Sequence, residues 1–183
     1  MPSNPPARFL RAALVALALL AAASHTRPAR AEAEESALTL GPLFRGLSET
    51  APGADAAFRP AFGLEARYRY GLDDFFQVGL ALDLGLAPDP AFVGALTAEL
   101  HYVIDIVTWV PYVSVGLGTL VRDAVPGATA ARADLLATIG GGLEYRPARD
   151  FALDLHGRYE LALTDFDRTS SFSVVLGYTL FFE

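Results

Sequence analysis

The sequence predicts an all-β fold, an eight-stranded antiparallel up-and-down β-barrel that crosses a membrane. Three observations carry that prediction. From Leu38 onward, segments separated by turn-type sequence carry apolar residues at every second position. After the N-terminal segment no run approaches the ~20 apolar residues that a spanning helix needs, so only strands can do the crossing. The last alternating segment runs to Phe181-Phe182-Glu183, so the chain finishes on aromatics.

Residues 1–31 read as a secretory signal peptide. Arg8 and Arg11 give it a positive start, Ala12 to Ala23 an apolar stretch, and Ala29-Arg30-Ala31 a small-x-small cleavage site. The apolar stretch is too short for a membrane anchor. No Cys stands at the cleavage site for lipid attachment. Residues 32–183 then form one barrel domain.

The whole chain carries a formal charge of −7. Every basic residue is Arg, and the ten Arg beyond the signal face all 21 acids. That balance excludes nucleic acid as a partner. Without Cys the fold owes nothing to disulfides.

The segments follow in order. The first, Leu38 to Leu47, is the weakest: Leu38, Leu40 and Phe44 share a face and Pro42 interrupts. Phe58 to Leu72 is the clearest, with Phe58, Pro60, Phe62, Leu64, Ala66, Tyr68, Tyr70 and Leu72 on one face. Arg59, Glu65, Arg67 and Arg69 lie on the other. A helix would scatter those charges, whereas a strand aligns them. Phe76 to Leu86, Leu96 to Ile104, Trp109 to Leu117, Leu135 to Tyr145, Phe151 to Leu161 and Phe172 to Phe182 repeat the rule.

Opposing apolar faces sets the turns. Leu72 opposite Phe76, Ile104 opposite Trp109 and Tyr145 opposite Phe151 give three short turns. On that register Gly140 faces His156 and Gly142 faces Asp154. The other connections are longer or equal, which is the asymmetry of an outer-membrane barrel.

Alternation alone also suits a soluble barrel with an apolar interior. The polar face argues for the inverted arrangement. It mixes Gly, Ala, Ser and Thr with acids and Arg in near balance, as a narrow filled lumen requires. The expected lumen network joins Arg59, Arg67, Arg69 and Arg158 to Glu65, Asp83, Glu99, Asp134, Glu144, Asp154 and Glu160, because unpaired buried charge is costly. Tyr68, Tyr70, Phe76, Tyr102, Trp109, Tyr145, Phe151, Tyr178 and Phe182 gather on the apolar face at the short-turn end, a girdle at one interface. Phe58, Phe92 and Phe172 form a second ring at the loop end. Ten steps from Phe76 to Leu86 at ~3.4 Å, tilted ~45°, cover ~24 Å, the height of an outer-membrane apolar band.

Pro111-Tyr-Val-Ser-Val-Gly-Leu-Gly118 and Ile139-Gly-Gly-Gly-Leu-Glu-Tyr-Arg146 resemble the small outer-membrane β-barrel superfamily, which includes the OmpX-, OmpW- and opacity-type proteins. Gly177, Leu180 and Phe182 match that family's C-terminal assembly signal, while Val175 and Glu183 depart from it. The resemblance implies a bacterial outer-membrane location. It implies contact with outer-membrane lipid and lipopolysaccharide, and recognition by the barrel-assembly machinery. The expected state is a monomer.

Little in the chain suggests chemistry. His101 and His156 face the lumen, and neither a His-x-His nor a Cys pattern offers a metal site. Lipid A deacylases place a Ser two residues after a catalytic His, but His156 is followed by Gly157 and Arg158. Glu65 and Asp83 could imitate a carboxylate dyad, but they lack a cleft. The expectation is a protein with no enzymatic activity, no metal and no cofactor. A structural or surface-interaction role comes first, with a narrow channel or carrier for small or apolar solutes as the alternative and a lipid-modifying enzyme behind both. Acidic loop residues Glu49, Asp55, Asp89, Asp123, Asp165 and Asp167 could engage divalent cations at the lipopolysaccharide surface.

Overall fold

In the computed structural model of the chain, residues 35–50, 56–88, 91–104, 108–122, 132–164 and 169–182 are described. The signal peptide, Glu183 and the loop acids Asp55, Asp89, Asp123, Asp165 and Asp167 lie outside them, as does the side chain of Glu49. The strands are β1 (Ser36–Thr50), β2 (Ala56–Gly71), β3 (Phe76–Ala87), β4 (Ala91–Val103), β5 (Trp109–Arg122), β6 (Arg132–Tyr145), β7 (Phe151–Ala162) and β8 (Thr169–Phe182). Each pairs antiparallel with the next, and β8 closes on β1. Closure leaves no open edge, the condition for strands in hydrocarbon.

The faces divide as the alternation requires. On β2, Phe58, Phe62 and Leu64 are exposed while Glu65, Arg67 and Arg69 are buried. On β8, Phe172, Val174, Leu176, Tyr178 and Leu180 point out, and Ser171, Ser173, Val175 and Thr179 point in. The molecule is therefore a soluble protein turned inside out, with its charges in the core and a continuous apolar belt outside. Only hydrocarbon makes such a belt stable.

Register decides the barrel's shape. The path Leu38–Tyr68–Leu80–Ala98–Leu117–Ala137–Leu161–Ser170 follows paired residues round the barrel and returns to β1 at Ser48, ten residues further along. Eight strands with that stagger tilt by about 41° and enclose a backbone cylinder about 8 Å in radius. Such a lumen is wide enough for side chains and little else.

Two expected registers are corrected. Ile104 lies opposite Pro111 rather than Trp109, its N–H bonding to the Pro111 carbonyl at 2.9 Å. Tyr145 pairs with Leu153 rather than Phe151. Consequently Gly142 faces His156 and Gly140 faces Arg158. Both errors are slips of two residues, which leave every side chain on its proper face and so escape a hydrophobic pattern. The Leu72–Phe76 turn lies as expected, and Asp73 fixes it by accepting the N–H groups of Phe75 (2.8 Å) and Phe76 (2.7 Å) on Oδ1.

The first strand is also corrected. It is a full 15-residue strand rather than a weak one. Its inward residues include Ala37, Leu43 and Leu47 beside Thr39 and Arg45, so polarity does not mark its two faces. Pro42 points outward, and the pairing with β8 lapses only at Gly41 and Pro42.

Candidate functional site

The lumen concentrates the chain's chemistry, and the strands deliver it in layers. At the short-turn end, Glu144 on β6 receives Arg69 from β2 in a close ion pair. Arg146, just past β6, donates to the same carboxylate from Nε (3.0 Å) and Nη2 (2.9 Å). Its guanidinium lies 4.4 Å from the centre of the Phe181 ring.

Above this sits Tyr112 on β5. Its hydroxyl accepts from Arg67 Nη1 at 3.1 Å and donates to Asp154 Oδ1 at 2.9 Å. Room for the phenol comes from Gly142, where a Cβ would stand 2.5 Å from the Tyr112 oxygen. His156 faces Asp154 at 2.6 Å through Nδ1 and Glu65 at 3.1 Å through Nε2. His101 bonds Glu99 at 3.0 Å through Nε2.

Arg158 on β7 is the hub of the middle layer. It reaches Glu99 (2.8 Å), Glu65 (2.7 Å) and Asp83 (2.6 Å) on three other strands. Arg45 continues the column, donating to Asp83 at 2.5 Å and Glu160 at 2.8 Å, and Ser171 closes it on Glu160 at 2.5 Å. Hydrogen bonds and ion pairs run without a break from Tyr112 to Ser171, and the Arg69–Glu144–Arg146 group adjoins them with the Arg69 guanidinium 5.6 Å from the centre of the Tyr112 ring. Arg67, Arg69, Arg158 and the carboxylates Glu65, Asp83, Glu99, Glu144, Asp154 and Glu160 are all buried within it.

Three placements differ from the sequence reading. Arg45 holds one of the central positions, which the sequence did not flag because its strand read as weak. Arg59 stands half-exposed at the loop end of β2. Asp134 lies apart near the loop end, paired with Arg122 and accepting from Thr164 at 3.0 Å. Between Asp134 and the column runs an apolar layer of Leu47, Val93, Ala95, Leu120, Leu136 and Ala162, all inside the barrel. The sequence reading missed it, since a Leu on the polar face looks like a lapse in alternation.

The aromatic residues at the short-turn end pair across strands on the outer face. Phe76 meets Tyr102 (5.4 Å), Trp109 meets Tyr145 (4.6 Å), Phe151 meets Tyr178 (5.6 Å) and Tyr68 meets Phe182 (6.4 Å). Tyr70 lies on that same face. At the other end Phe58 stacks on Phe172 at 6.2 Å, with Phe44 and Phe62 beside them. At the seam, Gly177 points inward, and Thr39 and Thr179 join their hydroxyls at 2.8 Å. Leu180 and Phe182 face outward. Among the described residues no cluster of His, Cys, Asp and Glu is arranged to hold a metal ion.

This architecture, a closed eight-stranded antiparallel barrel with a charged core and an apolar exterior, is that of the small outer-membrane barrels. Among solved structures the chain is similar to the attachment invasion locus protein Ail of Yersinia pestis, with TM-score 0.60 and 18% identity, over 82% of this chain and 100% of that one. It is similar to Neisserial surface protein A, with TM-score 0.62 and 13% identity, over 79% and 96%. The outer membrane protein OprG of Pseudomonas aeruginosa gives TM-score 0.57 and 13% identity, over 83% and 97%. No protein-family model and no curated protein sequence matches the chain. At these identities the likeness establishes the fold.

Proposed function

We propose that the protein is an integral protein of the bacterial outer membrane whose lumen is filled by side chains, and that its role is structural or one of surface interaction. The observation that carries this is the ion-pair column that crosses the lumen. Arg158 alone joins carboxylates from three other strands across the barrel. A solute could pass only by breaking several buried charge pairs, each costly to leave uncompensated. The similar solved structures include an attachment protein and a surface protein, which supports a role at the cell surface. Export through a cleaved signal peptide, lodging in lipid and lipopolysaccharide, and a monomeric state belong to the same reading. So do insertion by the barrel-assembly machinery and the lack of enzymatic activity.

The test is electrical. Purified, folded protein reconstituted in planar bilayers is expected to give no steady conductance. Reproducible unitary currents would overturn the filled lumen in favour of a narrow channel. A deletion strain is expected to have unchanged lipid A by mass spectrometry, and altered acylation would establish an enzyme.

A further inference from the structure

Resting on the filled-lumen reading, we propose that the barrier to protons and small cations is the apolar layer, not the ion-pair column beneath it. The two parts of the lumen differ in kind. Leu120 and Leu136, 0% and 1% exposed, are as deeply buried as the column's charges and differ from them in carrying no polar atom on the side chain. With Leu47 and Val93 they span the barrel from β5 and β6 across to β1 and β4. Nothing in this layer can hydrogen-bond water through a side chain, and an apolar space of that kind stays dry.

The column is the opposite. It is paired but not saturated: Nε and Nη1 of Arg45, Oδ1 of Asp83, Nε of Arg158 and Oγ of Ser173 are buried without a protein partner. Buried polar atoms left bare are strongly disfavoured, and closely spaced polar groups recruit ordered water. Five guanidiniums, those of Arg45, Arg67, Arg69, Arg146 and Arg158, face the column's six carboxylates, and His156 lies between two of the latter, Asp154 and Glu65. Polar throughout and hydrogen-bonded from Tyr112 to Ser171, the column offers protons a path up to the layer. A dewetted apolar constriction is a sufficient gate.

The experiment uses the full mature chain folded into liposomes that contain a pH-sensitive dye, with a pH step imposed outside. Wild-type vesicles are expected to equilibrate no faster than protein-free ones. Leu120→Ser with Leu136→Ser should speed equilibration at least tenfold while still excluding sucrose. The single variants Leu120→Thr and Leu136→Thr should each give a smaller, measurable increase, and they decide the matter if the double variant does not fold. Val103→Ser with Val110→Ser, equally buried but at the periplasmic end, is the control and should remain tight. Silent but folded layer variants, or an equal leak in the control, would overturn the assignment of the seal. A leak already present in the wild type would instead overturn the filled-lumen reading itself.

Discussion

Gly177→Ala should jam the last step of barrel closure, and Thr39→Ser should relieve it. A Cβ at position 177 would stand 2.4 Å from Thr39 Cγ2, far inside van der Waals contact, with its next neighbour, Asp154 Cβ, at a comfortable 3.7 Å. The collision is thus with a single methyl group on the facing strand. Overpacking of this kind costs about 1–3 kcal/mol. Thr39→Ser removes that methyl while keeping the hydroxyl that bonds Thr179. On its own it should cost about 1 kcal/mol for the lost buried methyl. Combined with Gly177→Ala it should recover most of the alanine's cost, a coupling of the size seen between contacting residues. Urea titration in lipid vesicles, read by the heat-dependent shift in gel mobility, gives all three stabilities. If the double variant is no more stable than Gly177→Ala, or if Gly177→Ala is as stable as wild type, the interlock is not what fits β8 against β1.

The remaining perturbations probe the belt, the column and the C-terminus. Leu82→Arg places a cation at mid-belt and should cost about 2–4 kcal/mol in lipid, read by the same titration; normal stability would invert the assignment of the faces. Arg158→Gln removes the one guanidinium common to Glu65, Glu99 and Asp83, leaving Asp83 to Arg45 and the other two to Arg67, and should cost about 3–5 kcal/mol. Arg122→Gln near the loop end, where Asp134 keeps Arg132 at 3.4 Å and Thr164, should cost less. Deleting residues 181–183 removes both the ring under Arg146 and the Phe182 partner of Tyr68. It is expected to abolish heat-modifiable barrel while leaving signal cleavage intact, seen by blotting membrane and periplasmic fractions.

The fold was legible because one physical constraint, a lipid outside and a crowded polar inside, imposes period two on every strand. β2 and β8 display it almost without exception. Register was not legible to the same degree. Opposing Tyr145 with Phe151 and with Leu153 both put apolar residues outward, and only backbone hydrogen bonds choose between them. β1 was read as weak for a related reason. Leu43 and Leu47 point inward to meet other inward apolar groups, so its lumen face carries no consistent polarity.

The same limit explains what was missed in the lumen. Glu65, Arg67 and Arg158 announce themselves, because a charge aligned with other charges on a strand has few places to go. Arg45 does not, being a lone cation flanked by Leu43 and Leu47 two residues away on either side. Leu120 and Leu136 are harder still. Each is one apolar residue on a polar face, and the layer exists only because five strands bring such residues to one level. A pairwise pattern along the chain cannot reveal a ring assembled across it. With the stagger of ten the levels follow from the registers, and the ring then separates the Arg122–Asp134 pair outside from the Arg45–Glu160 pair inside. Charge on both sides and none between is the arrangement expected of a septum rather than of a lapse in alternation. That contrast gives the Leu120 and Leu136 variants a sharper expected effect on leakage than any single substitution within the column.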